Sequence, residues 1–220
     1  MKRRAAGEDP GGAGKAVSRW CARRRHWRLG VLLSQVLDHR LPGDGVAVPE
    51  YVVQDLLPVN EWSRPGTALE KIDAVVIHYV GNPGTTAQAN RNYFASLSSG
   101  EEGTYASSHF IVGLEGEVLQ CIPLMEISYA SNTRNSDTVA IEVCHPDETG
   151  KFSPVTYDRL VELTAWLCRE FRLDPERDVI RHYDVTGKIC PKYFVEEPAA
   201  WDQFRMDVDQ AMAALEESDR

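Results

Sequence analysis

Residues 74–80 read Ala74-Val75-Val76-Ile77-His78-Tyr79-Val80, a run in which His78 is the one strongly polar side chain. A strand with one wet face alternates apolar and polar residues. A run without that alternation is buried on both faces and belongs inside a sheet covered by helices. Outward from it, Asn82-Pro83-Gly84 stops the strand. Thr85 or Thr86 then caps a helix whose Ala89, Tyr93, Phe94 and Leu97 share one side before Gly100 ends it. Residues 109–112 and 118–122 form two strands joined by the turn Leu114-Glu115-Gly116-Glu117, a hairpin. Residues 138–144 alternate cleanly: Val139, Ile141 and Val143 face one way, Ala140, Glu142 and Cys144 the other. Ser153-Pro154 opens a helix, with Ser as cap and Pro at the first helical position. Leu160, Leu163, Leu167 and Phe171 follow at helical spacing. Val179-Ile180 is a short strand leading into Arg181-His182, and Pro198 opens a last helix with the stripe Trp201, Phe204, Val208, Ala211 and Leu215. The order predicts an α/β fold, a mixed central sheet flanked by helices, in one domain over residues 50–220.

Residues 1–48 are rich in Gly, Arg and Pro, lack a period and read as a basic tail. Residues 1–41 carry ten Lys/Arg against three Asp/Glu, a net +7, while the remainder carries fourteen against thirty, a net −16. So acidic a body argues against nucleic acid as a partner. Arg23-Arg24-Arg25 ahead of the apolar run 29–37 has the order of an export signal, but Ser34 and Gln35 interrupt it and no small-x-small cleavage site follows. An atypical anchor or a short amphipathic helix is an equal reading. The chain has no apolar stretch of the length that a transmembrane helix needs. The five cysteines show no disulfide framework, and Cys121, Cys144 and Cys168 sit in apolar-periodic surroundings as small core residues do.

Five positions are candidates to carry the chemistry. His78 lies mid-strand, where an unpaired imidazole costs roughly 1–3 kcal/mol, so it is either bonded to a carbonyl or bound to a metal. His182 ends a strand and Cys190 follows eight residues later past Gly187. Imidazole nitrogen and thiolate sulfur are both zinc donors, and three protein ligands leave zinc an open fourth position, the pattern of a catalytic site. Glu142 faces the same way as Ala140 and Cys144; it is either a solvent-facing carboxylate or a general base. Lys188, two residues before Cys190, points the same way in extended chain and is either a surface lysine or a charge facing the same cavity.

Taken together, these segments resemble the zinc-dependent N-acetylmuramoyl-L-alanine amidases, the type-2 amidase family whose fold is shared with peptidoglycan-recognition proteins. The resemblance covers roughly residues 50–195 and runs in family order through Ser63-Arg64-Pro65-Gly66, Val76-Ile77-His78-Tyr79, Ser107-Ser108-His109-Phe110-Ile111-Val112, Ala140-Ile141-Glu142 and His182 through Pro191. It implies one catalytic Zn2+ held by His78, His182 and Cys190, Glu142 as the acid/base and Lys188 as the stabiliser of the transition state. Some members carry a Tyr just ahead of the His-Phe pair; here that position is Ser108, which leaves proton transfer to Glu142.

His109 is expected to contact substrate, orient Glu142 or pack beside the hairpin; Asn132 and Arg134 are expected in the substrate cleft or in solvent. Asp184 is expected to hold a ligand imidazole or form a plain salt bridge, and His145 to be no ligand. The implied substrate is bacterial peptidoglycan, cut between the lactyl group of N-acetylmuramic acid and L-alanine. The implied protein is a monomer acting at the cell wall, exported, surface-anchored or held in the cytoplasm until lysis. Two rivals stay open: a non-catalytic peptidoglycan-binding module of the same fold, and an amidase of soluble anhydro-muropeptides.

Overall fold

The computed structural model describes residues 45–218. The expected tail up to residue 44, with its signal-like run, His26 and His39, lies outside the described residues. Strand β1 is Val52–Gln54, β2 Ala74–Ile77, β3 Phe110–Val112, β4 Val118–Gln120, β5 Thr138–Val143 and β6 Val179–Arg181. They form one sheet in the order β1-β4-β3-β5-β2-β6. All neighbours are parallel except the β3–β4 hairpin, so the sheet is mixed, as expected. β2 is buried along its whole length between β5 and β6, which is why its sequence shows no alternation.

Helices cover both faces. α1 is Ala87–Ser96, capped by Thr86, whose hydroxyl accepts the Ala89 N–H at 3.2 Å. A 3₁₀ turn at Leu97–Ser99 extends it to Gly100, which sits left-handed at φ 72°. α2 is Pro154–Phe171, started by Ser153 with Pro in the first turn. Short helices α3 (Pro175–Asp178), α4 (His182–Thr186) and α5 (Lys192–Glu196) lead into α6 (Pro198–Ser218), which packs along α2.

The parity of β5 divides the core. Val139, Ile141 and Val143 join Leu160, Leu163, Leu167, Trp201 and Phe204 in the larger cluster under α2 and α6. On the other face, Cys144 packs with Ile111, Leu119 and Phe94 under α1. Each fully buried aliphatic or Phe side chain contributes roughly 1.5–3 kcal/mol, so the larger cluster is the main source of stability.

Three features differ from the sequence reading. β1 is an edge strand parallel to β4 with only Val52 buried, too short and too polar to show a pattern. Val46 and Val48 pack against the larger cluster, inside the region read as tail. The segment after His182 is a helical turn rather than a loop, because Asp184 caps it: its Oδ2 accepts the Arg181 N–H at 2.9 Å. Gly187, at φ 78°, then ends the turn.

Candidate metal centre and its cleft

The register of three neighbouring parallel strands assembles the site. Ile77 of β2 pairs with Ile141 of β5 and with Arg181 of β6. The next residues along the chain are His78, just past β2, Glu142, in β5, and His182, just past β6. Equivalent residues on parallel neighbours point to the same face, so these three form a row at the carboxyl ends of the strands. That is where open α/β sheets place their ligands. The row lies on the α1 face, with Phe94 of α1 lining the cleft above it.

Cys190 closes the group from the chain after Gly187. Its carbonyl accepts the Tyr183 N–H at 2.9 Å, which ties it back to α4. The donor atoms of His78, His182 and Cys190 all lie within 4.8 Å of one another, and all three residues are buried. Cys190 Sγ is 3.9 Å from His78 Nδ1, the two imidazole centroids are 4.6 Å apart, and Glu142 Oε1 is 4.0 Å from His78 Nδ1. No other such metal-ligating group occurs among the described residues.

The electrostatics suit a cation. Burial, with the neighbouring His182 and Lys188, holds the His78 imidazole well below its ordinary value, and burial and Lys188 lower His182 as well. Both shifts favour the neutral ring, the form that ligates. Burial pushes the Cys190 thiol up to about 12, with Glu142 adding to the rise and the Tyr79 N–H and Lys188 opposing it. Burial likewise raises the Glu142 carboxyl to about 8, against the pull of Lys188. Four buried side-chain N/O atoms among the described residues have no partner, and two of them, His182 Nδ1 and Glu142 Oε2, belong to this group. An orphaned buried polar atom costs about 1–3 kcal/mol. A divalent cation, were one held by the two imidazoles and the thiolate, would give His182 Nδ1 its missing partner. The donor set fits zinc.

The cleft around the group has a volume of about 360 Å³. Lys188 lines it, as do Asn132, Asn135 and Ser107, and Tyr105 and Tyr129 form an aromatic wall with ring centroids 5.3 Å apart. A larger surface hollow of about 740 Å³, walled by Phe152, Tyr157, Tyr193 and Phe194, lies away from the row and contains none of these donors.

Other expected roles resolve differently. His109 does not reach the cleft: it is fully buried, its Nδ1 accepts the Ala140 N–H at 3.0 Å, and its Nε2 bonds the Glu126 carbonyl at 2.9 Å. Substrate contact there is replaced by packing beside the hairpin. Asn132 lines the cleft, yet its Oδ1 is spent on His182 Nε2 at 3.0 Å. Asp184 takes the salt-bridge alternative, with Arg181 at 2.7 Å. Arg134 pairs with Asp137 and is not a cleft residue. His145 turns both nitrogens to backbone carbonyls, of Asp147 and Val80. Arg64 of the lead-in segment is structural, bidentate to Glu126 and bonded to the Leu57 carbonyl. Tyr105, Tyr129 and Asn135 are cleft residues that sequence reasoning missed; each sits in irregular chain, where no periodicity marks direction.

A family model described as N-acetylmuramoyl-L-alanine amidase matches residues 68–193. The chain is similar to N-acetylmuramoyl-L-alanine amidase BlyA of Bacillus subtilis (strain 168), 31% identical over 177 residues, covering 71% of this chain and 46% of that protein. It is also similar to N-acetylmuramoyl-L-alanine amidase CwlL of Bacillus licheniformis, 30% identical, covering 73% of this chain and 47% of that protein. It thus spans about half the length of these relatives. The solved catalytic domain of XlyA superposes with a TM-score of 0.59 at 26% identity, over 71% of this chain and 98% of that one. PlyL shares the fold, with a TM-score of 0.61 at 20% identity over 71% and 96% of the two chains.

Proposed function

We propose, for a chain that belongs to the N-acetylmuramoyl-L-alanine amidase family, that the cleft is a zinc-dependent amidase site acting on bacterial peptidoglycan. The bond cut is the amide between the lactyl group of N-acetylmuramic acid and the L-alanine of the stem peptide. The observation that carries this reading is the buried convergence of His78, His182 and Cys190 beside Glu142, in the lining of one cleft.

Zinc held there supplies Lewis acidity toward the carbonyl and makes water acidic near neutral pH. Glu142 is the group of this chain that handles the proton. Its carboxylate takes a proton from the attacking water and returns it to the departing nitrogen, so a C–O bond forms, the C–N bond breaks, and a lactyl carboxylate and a free L-alanine amine result. Lys188, at the cleft surface, balances the negative charge that grows on the carbonyl oxygen. Tyr105 and Tyr129 offer flat apolar faces to the sugar or stem. No helix among the described residues is long and apolar enough to cross a membrane; the place of action proposed is the cell wall.

Metal analysis of the purified full chain, with mass spectrometry of digested sacculi, tests the reading. One zinc per chain and release of stem peptides with a free L-alanine terminus are expected. Binding to sacculi without peptide release would instead establish a recognition module. Cleavage confined to soluble anhydro-muropeptides would move the substrate.

A further inference from the structure

We propose that the loop of residues 131–135 is the positioning device for the two imidazoles, with Asn132 as its principal residue. The proposal rests on the metal-centre reading above. Two adjacent residues of this loop reach both rings from the side away from Cys190. Asn132 Oδ1 is 3.0 Å from His182 Nε2, and Ser131 Oγ is 3.4 Å from His78 Nε2. An amide oxygen accepts only, so His182 Nε2 carries the hydrogen. A neutral ring protonated there presents its Nδ1 lone pair, and Nδ1 is the buried atom of His182 without a partner. At His78, Nε2 meets the Ser131 hydroxyl at 3.4 Å while Nδ1 faces Cys190 Sγ at 3.9 Å; a hydroxyl donates or accepts, so this contact orients the ring without choosing its tautomer. The orientation of both rings, and the tautomer of His182, are thereby set by side chains outside the candidate ligand set.

The loop is built for this. Asn132 has φ 52°, one of two non-glycine residues with positive φ among the described residues. Asn tolerates this region better than most residues, and the conformation turns its side chain toward His182. Asn135 knots the loop: its Oδ1 accepts the Ala130 N–H at 3.2 Å and the Ser131 N–H at 2.6 Å. The Thr138 hydroxyl fixes the far end on the Arg134 carbonyl at 2.7 Å, where β5 begins. The loop therefore spans from the imidazoles to the strand that carries Glu142.

The test uses the full chain and inorganic zinc alone, with affinity read by competition against a chromophoric chelator. Asn132→Gly keeps the left-handed backbone at no steric cost and removes the amide. Its zinc affinity is expected to fall by about 10–100-fold, while the melting temperature of the metal-free protein stays within a few degrees of wild type. Asn132→Asp keeps an acceptor at the same place and is expected to bind zinc within about threefold of wild type or more tightly. Unchanged affinity in Asn132→Gly overturns the proposal, as does a tenfold loss in Asn132→Asp. Should the glycine variant fail to fold, Asn132→Ser, which also removes the amide, takes its place with the same expected loss and the same refuting result. Wild-type protein that binds no zinc would instead overturn the metal centre itself.

Discussion

Acidification of the protein should cost stability through His109, and the size of the effect follows from its surroundings. The ring is fully buried and burial lowers it from 6.5 to about 4, with the hydrogen bond to the Glu126 carbonyl resisting the fall. Its Nδ1 receives the Ala140 N–H at 3.0 Å, and the Ser128 hydroxyl lies 3.1 Å from the same atom. Protonating Nδ1 would set a donor against a donor. Because the folded value lies below the unfolded one, the unfolded chain binds the extra proton between them. Stability contributed by neutral His109 is thus complete above about pH 6.5 and is lost as pH falls toward 4. At about 1.4 kcal/mol for each tenfold change in proton affinity, the gap from 6.5 to about 4 is worth about 3 kcal/mol. The perturbation is His109→Asn, whose amide oxygen can replace Nδ1 as acceptor but which leaves the Glu126 carbonyl unbonded, at a cost of about 1–3 kcal/mol at pH 7. The assay is urea unfolding of both metal-free proteins at intervals from pH 7 to pH 4. His78 and His182 titrate in both, so the difference isolates His109. The expected result is a variant less stable at pH 7 that gains about 3 kcal/mol relative to the parent by pH 4, which closes or reverses the deficit. A deficit that stays constant across the range would refute the reasoning.

Three further outcomes concern the cleft. Glu142→Gln should retain zinc and the fold while kcat falls at least about 10²-fold, the usual scale for a general acid–base; near-normal turnover of peptidoglycan fragments would assign the proton to another group. His182→Ala should lose zinc, and a full complement by metal analysis would remove it from the ligand set. Lys188→Met keeps side-chain length without charge and should lower kcat by about 10–10³-fold with little change in KM, in line with loss of one oxyanion partner; a rise in KM alone would make Lys188 a binding residue.

Most of the sheet was legible because burial leaves a periodic trace. β2 has no alternation and lies between two strands; β5 alternates and divides two cores. The cap at Ser153 and the left-handed Gly100 appear where their chemistry predicts. β1 left no trace because two of its three residues face solvent. In the site, the three side chains that converge were singled out through the family resemblance, whereas the groups that hold them were not. Asn132 reads as a loop residue available to substrate. Only its left-handed backbone, which no local pattern encodes, turns it toward His182 instead. His109 misled for the opposite reason: a histidine beside a Phe-Ile-Val strand carries no sign of whether its nitrogens meet solvent or backbone, and Glu126, its partner, is 17 residues away.

The same signal that builds the core also aims the chemistry. A one-residue slip of a strand exchanges its faces, so Val139, Ile141 and Val143 cannot enter the larger cluster unless Glu142 points into the cleft. The Ile77–Ile141 and Ile77–Arg181 pairings then determine that Glu142 meets His78 and that His182 stands beside it. The geometry of the row therefore costs no dedicated structure; it is inherited from hydrophobic packing beneath the sheet. What packing cannot set is rotation of the imidazoles about their own bonds, and that freedom is removed from above, by the loop carrying Ser131 and Asn132. Stability and function divide along this line. Substitutions in the larger cluster should lower melting temperature without altering metal preference, while substitutions in the loop should alter metal affinity with little effect on melting of the metal-free chain.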